Sequence, residues 1–442
     1  MPKSLAMAAL LAASCAAQAA GSDAADLAAI RAQIAEMKTS YEQRIAALEN
    51  KLAEAESKTA QAAAGPVVAA APAAPSSASA FNPEVSLILQ GKVRQAKDIA
   101  NRGISGFFPS GIEGANARGF SADETELVLA ANIDPYWRGQ AIVALADGQA
   151  NIEEAWFQSL AIGHGVGLKA GRFRSGIGYT NEQHPHARDF ADAPLMYQAM
   201  FGDSYSQDGV QFKWLAPLPL FVEFGAEVGR GANFPGTERN RNGAGGSALY
   251  VHVGDDLGIS NNWRLGLSRL KTRASDRSAE FVDINDTAVP AAFSGDSTTW
   301  LADFVWKWAP NGNPKYQNFK FQSEYFWREE NGVLMATNES AYRTRQSGWY
   351  AQGVYQFTPE WRAGLRYEQL DSGSRDFGSN PDNLLVEAYR PKKATAMVDY
   401  SWSEFSRVRL QYAQDKSMAG ITDNQWTLQY IMSLGAHGAH KF

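Results

Sequence analysis

The sequence predicts an all-β transmembrane chain: a 16-stranded antiparallel β-barrel over residues 81–442, behind an N-terminal α-helical coiled coil. Three observations predict it. Segments of about ten residues alternate apolar and polar side chains, the spacing of a barrel strand with one face to lipid and one to a lumen. The joins between these segments sort into short and long ones. No stretch beyond the first twenty residues approaches the ~20 apolar residues a membrane helix needs.

The N-terminus reads as an export signal. Lys3 supplies a positive charge, residues 5–17 a short apolar core, and Ala17-Gln18-Ala19 a small-residue cleavage site. The expectation is a signal peptide over 1–19 with cleavage after Ala19. Lipidation at Cys15 is the alternative, disfavoured because Ala12 stands where a Leu is usual.

Residues 23–58 contain neither Gly nor Pro. Leu27, Ile30, Ile34, Met37 and Tyr41 recur at three- and four-residue spacings, the seam of a coiled coil. Ile45, Leu48 and Leu52 continue it after an eleven-residue step that locally unwinds the supercoil. A seam so diluted by Ala is marginal alone and is expected to ride on a larger oligomer; a solvated single helix is the other reading. Residues 59–80 form an Ala/Pro/Ser linker without a packing pattern.

From residue 81 the alternation takes over. Trp361, Ala363, Leu365 and Tyr367 fall on one face of a strand, and Arg362, Gly364, Arg366 and Glu368 on the other. Phe319, Phe321, Tyr325 and Trp327 do the same against Lys320, Gln322, Glu324 and Arg328. The segments lie near 84–96, 119–133, 137–147, 151–162, 166–174, 206–216, 220–230, 246–257, 261–272, 296–308, 316–330, 345–358, 360–370, 392–402, 404–415 and 423–434. A soluble sandwich shares the period of two, so the connections decide. Short joins alternate with long ones at 97–118, 175–205, 231–245, 273–295, 331–344 and 371–391, with the short join at 148–150 as an exception. Sandwiches and propellers have no reason to sort loops this way. Trp137, Trp214, Trp263, Trp308, Trp361 and Trp402 near strand ends are expected to form girdles at the two interfaces.

Composition excludes several functions. The 442 residues carry a formal net charge of −6, which argues against nucleic acid as a partner. The single Cys leaves no disulfide framework and no Cys-based metal or redox site after cleavage. There is no Gly-x-Ser-x-Gly elbow and no His-Glu-x-x-His pair, so no enzyme is expected.

The chain ends in Phe442 after a strand with alternating Trp426, Leu428 and Tyr430. This resembles the C-terminal aromatic signal, here Trp426, Tyr430 and Phe442, by which the barrel-assembly machinery recognises outer-membrane barrels. The order of signal, coil, linker and sixteen strands is similar to trimeric Gram-negative porins. The porin O/P group is nearest, in the short strands leading to Gly171-Arg172-Phe173 and the long loop after them. The segments FNPEVSLIL (81–89), GRFRSGIGYTNEQHPHARDF (171–190) and GAHGAHKF (435–442) resemble a porin-like proteobacterial family often labelled TonB-dependent or zinc-regulated. A TonB-dependent transporter needs a plug domain and 22 strands, for which this chain has no room. The resemblance implies an outer-membrane porin in contact with lipid, a homotrimer, passing small hydrophilic solutes by passive diffusion, with the coil in the periplasm.

Sixteen strands leave an aqueous channel. Turning the apolar residues to lipid puts twelve cations inside: Lys92, Arg94, Arg138, Arg172, Lys213, Arg264, Lys320, Arg328, Arg362, Arg366, Arg407 and Arg409. Eight carboxylates join them: Glu124, Glu126, Glu223, Glu227, Asp303, Glu324, Glu368 and Asp399. The balance predicts a mild anion preference, without the dense Arg and Lys ladder of a dedicated phosphate channel. In porins the third outer loop, here 175–205, folds inward, and the constriction is expected at Arg172, Arg174, Glu182, Arg188 and Asp189. His184 and His186 flank Pro185 and form a candidate zinc or copper site with Glu182 or Asp189; otherwise they hydrogen-bond the loop to the wall. His437 and His440 are a second, weaker pair. Besides the diffusion channel, two other functions fit: an uptake or binding protein for a transition metal such as zinc, and a tether from outer membrane to cell wall.

Overall fold

The computed structural model describes residues 83–99, 102–107, 118–122, 124–146, 148–283, 287–380, 384 and 388–435. The expected signal peptide, coil, linker, Phe442 and the His437/His440 pair lie outside these residues.

Every hydrogen-bonded strand pair is antiparallel. The staves are β1 (Glu84–Gln95), β2 (Gly119–Ser121 and Thr125–Asn132), β3 (Trp137–Ala146), β4 (Gln149–Ser159), β5 (Val166–Arg174), β6 (Ser206–Leu215), β7 (Phe221–Gly229) and β8 (Gly246–Leu257). They continue as β9 (Asn261–Val282), β10 (Ala288–Trp308), β11 (Asn318–Met335), β12 (Glu339–Gln356), β13 (Trp361–Asp376), β14 (Lys392–Ser403), β15 (Ser406–Lys416) and β16 (Asp423–Gly435). The two pieces of β2 follow one another along β1, so they make one stave. Each stave pairs with its sequence neighbours, and β16 pairs with β1 from Ser86↔Gly435 to Gln95↔Trp426. The wall is therefore a closed 16-stranded barrel with no free edge. Among the described residues no helix is long and apolar enough to cross a membrane.

The predicted strands are all present, but β9–β13 run on. The stretches 273–295 and 331–344, expected as loops, are mostly strand: β9 has 22 residues and β10 has 21, against 9 in β5 and β7. Their extensions still alternate, and Ala274, Phe281, Ala291, Phe293, Leu334, Tyr342, Phe377 and Leu384 pack into one buried cluster. That burial continues the ladder beyond the membrane.

The outer face places the membrane. Trp137, Trp214, Trp263, Trp308, Trp361 and Trp402 all lie at the short-turn end, so they form one girdle where two were expected. Trp300, Trp327, Trp349, Tyr367 and Trp426, exposed on the same outer surface, supply the other. Along β10 eight residues separate Trp308 from Trp300, roughly 20 Å of height at ~3.3 Å per residue and the usual tilt. Above Trp300 and Trp327 the outer face turns charged: Arg345 pairs with Glu329 at 2.8 Å and Lys271 with Asp296 at 2.9 Å.

Candidate functional site: the loop inside the barrel

The 175–205 segment enters the lumen, and its anchors follow its sequence. Gly178 (φ +67°) lets the chain turn beside Glu324, where an added Cβ would stand 2.6 Å from the carboxylate. Glu324, fully buried on β11, accepts the backbone N–H of Tyr179 (3.1 Å) and Thr180 (3.0 Å) and the hydroxyls of Tyr197 and Tyr350 (both 2.7 Å). Further on, Leu195–Phe201 forms a short helix, α1, ended by Gly202 in the left-handed region. All of α1 but Gln198 is buried, against Tyr250, Leu270, Leu301, Phe326, Tyr350 and Leu370 of the inner wall. An apolar patch inside a polar lumen is stable only when covered, and α1 covers it.

Ion pairs fix the stretch between. Asp189 meets Lys320 at 2.6 Å and Arg362 at 3.2 Å and accepts from Gln352 at 3.1 Å. Asp192 meets Arg366 at 2.9 Å and also Lys393. Burial opposes the charged form of both, and the facing cations override it: Asp189 is held down at about 2 by Lys320 and Arg362, and Asp192 well below the usual carboxylate range by Lys393 and Arg366. Arg188 forks onto Asp203 at 2.7 Å, and Arg409 and Arg407 cap the carbonyls of Arg188 and His186 at 3.0 and 2.7 Å. Glu182 sits near Lys213 at 3.4 Å.

At the opposite wall His184 and His186 stack with ring centroids 5.9 Å apart. Pro185 between them opens a 3-10 turn and holds His184 extended. The carboxylates they meet are neither Glu182 nor Asp189, both engaged by cations elsewhere. They are Glu126 on β2 and Glu153 and Glu154 on β4, at 2.8 to 3.1 Å. Adjacent strand residues normally face opposite ways. In the β3–β4 ladder Ile142 pairs with Glu154 and Val143 with Ile152, so Glu153 is the extra residue of a bulge, and both glutamates reach the loop. Arg174 follows, 3.1 Å from Glu153 and bonded to the Gln183 carbonyl. Burial and Arg174 disfavour a charged His184, and hydrogen bonding to Glu126, Glu153 and Glu154 reverses both, raising its pKa to about 10.

Of the expected constriction residues, Arg174, Glu182, Arg188 and Asp189 come together in this loop assembly. Arg172 does not. Lys169 stacks on Trp156 and Phe173 is fully buried inside, which turns Arg172 outward, where it forks onto Asp208 of β6 at 2.7 and 3.0 Å. The error is one of phase: the partner strand supplies the outward carboxylate. Sequence reasoning missed Glu153 and Glu154, since two adjacent glutamates carry no sign of a bulge. Above the loop lies a cavity of about 950 Å³, lined by Lys92, Arg94, Arg174, Arg188, Glu124 and Asp192 among others.

Comparison with known proteins agrees with this architecture. Residues 269–421 match a family described as phosphate-selective porin O and P. An uncharacterized protein of Aquifex aeolicus (strain VF5) is 28% identical over 404 residues, covering 84% of this chain and 82% of that one. Among solved structures, a loop-L8 deletion mutant of OmpT, an outer-membrane protein of Vibrio cholerae, superposes with a TM-score of 0.51. It shares 12% identity and covers 80% of this chain and 99% of its own. The closed sixteen-stave wall is thus a fold shared with a solved outer-membrane barrel, and residues 269–421 are similar to the porin O and P family.

Proposed function

We propose that the protein is a passive diffusion channel for small hydrophilic solutes, narrowed by residues 175–205 and working as a homotrimer. The observation that carries this reading is the loop itself. It is held to β11–β15 by Asp189 and Asp192 and to β2 and β4 by His184 and His186, with a polar cavity above it. A loop pinned at both ends sets a fixed aperture, the arrangement of a size-selective pore. Interior cations pair with interior carboxylates, as Arg409 with Asp399 and Arg264 with Asp303, so the anion preference stays mild. The signal peptide over 1–19 delivers the chain to the periplasm. The coil over 23–58 joins three copies there through the 59–80 linker, and the barrel-assembly machinery inserts residues 81–442. Single-channel recording in a planar bilayer under a salt gradient tests the proposal. Open steps in groups of three, with a small reversal potential of anionic sign, are expected. A heat-modifiable, correctly folded barrel that passes no current overturns the channel reading.

A further inference from the structure

The histidine–glutamate junction between loop and wall has the donor set of a metal centre. His184 Nδ1 lies 3.1 Å from Glu126 Oε2 and 3.0 Å from Glu153 Oε2. Donors around a tetrahedral zinc with ~2.0 Å bonds stand roughly 3.3 Å apart, so these spacings match the edges of such a polyhedron. Glu153 Oε2 also accepts from Arg174 at 3.1 Å, and the neighbouring atoms of His184 and Glu126 are engaged. His184 Nε2 meets Glu154 Oε1 at 2.8 Å, and Glu154 Oε2 accepts the Trp156 indole N–H at 2.7 Å. With Nε2 donating to Glu154, loss of the Nδ1 proton would turn a lone pair toward Glu126 and Glu153, the carboxylate–histidine support common behind zinc ligands. Glu126 Oε1 is taken by His186 Nδ1 at 2.9 Å. What is left over is Glu126 Oε2, on a fully buried side chain, and His184 Nδ1, which face each other at 3.1 Å without well-formed hydrogen-bond geometry. Two buried atoms of complementary ligand type that meet only in an ill-aligned contact are an unusual arrangement in a folded interior. Charge agrees: Glu126, Glu153 and Glu154 bring three negative charges to the imidazole and Arg174 offsets one, which suits a divalent ion. The three donors that would hold it all lie within 4.8 Å of one another. Glu153 also lines the cavity above the loop, which gives an ion a way in and a water a fourth position.

We propose that Glu126, Glu153 and His184 form a binding site for a divalent transition-metal ion of the zinc class, with Glu154 orienting the imidazole. The ion replaces the proton that the imidazole otherwise holds, and it ties the loop to β2 and β4.

Zinc titration of the purified full-length protein in detergent, competed against a chromophoric chelator, tests this. One zinc per chain is expected, weakened about tenfold or more by His184→Ala and by Glu153→Gln and unchanged by Glu182→Gln. Heat-modifiable migration confirms that each variant is folded. Glu153→Gln is isosteric and settles the matter if His184→Ala does not fold. No zinc bound by the folded wild type, or binding undiminished in Glu153→Gln, overturns the site. Because binding is read without current, a barrel that binds zinc and does not conduct fails the channel reading alone.

Discussion

Tyr350 of β12 donates its hydroxyl to Glu324 of β11 at 2.7 Å, and the same carboxylate receives the two backbone N–H groups that start the inner loop. One side chain thus fixes both the wall and the loop's entry. Truncation by Glu324→Ala would strand those donors, at about 1–3 kcal/mol each before any relaxation. We expect a barrel that still assembles but has a loosened loop. Larger, noisier single-channel steps and new protease sites within 175–205 would bear this out; wild-type currents and digestion would refute it.

The loop's acidic anchors set its response to pH. The folded pKa of Asp189 is depressed to about 2, below the ordinary carboxylate value near 4. Its stabilisation is therefore fully present above about pH 4 and is lost as pH falls through the folded value. Open-channel noise should hold steady from pH 7 to pH 4 and climb between pH 4 and pH 2. An Asp189→Asn variant should be noisy throughout, and a wild-type channel already noisy at pH 5 would contradict the assignment.

Opposite faces of the wall can be told apart chemically. The natural chain has a single Cys, at position 15 within the predicted signal peptide, so an introduced thiol is the sole target after cleavage. A charged thiol reagent should change conductance through Lys92→Cys, which lines the cavity, and leave it unaltered through Arg172→Cys on the outer face. Block at position 172 would restore that residue to the lumen.

Much of the barrel was legible because a strand between lipid and water writes its two faces into alternate residues. Trp361, Leu365 and Tyr367 face out and Arg362, Arg366 and Glu368 face in, as the pattern predicts. The sixteen staves and the length of the third loop follow from that period and from the spacing of the segments, and its inward course was implied by the resemblance to porins. Arg172 was misread because phase at a short strand of small residues rests on the neighbours, Phe173 inside and Asp208 outside. The extensions of β9–β13 were read as loops because their alternation is shallow without its partners; the cluster around Phe281, Phe293 and Tyr342 and the buried Arg277–Glu330 pair stabilise it.

By itself, the sequence determined the barrel, its strand number and the histidine pair at the loop's turn, since these rest on local periodicity and spacing. Tertiary structure alone decided which carboxylates those histidines meet. Glu182 and Asp189 are near in sequence but are drawn to Lys213, Lys320 and Arg362. Glu126 arrives from β2, and a one-residue bulge turns Glu153 and Glu154 together into the lumen. Register and bulges are properties of paired strands, and no single segment encodes them.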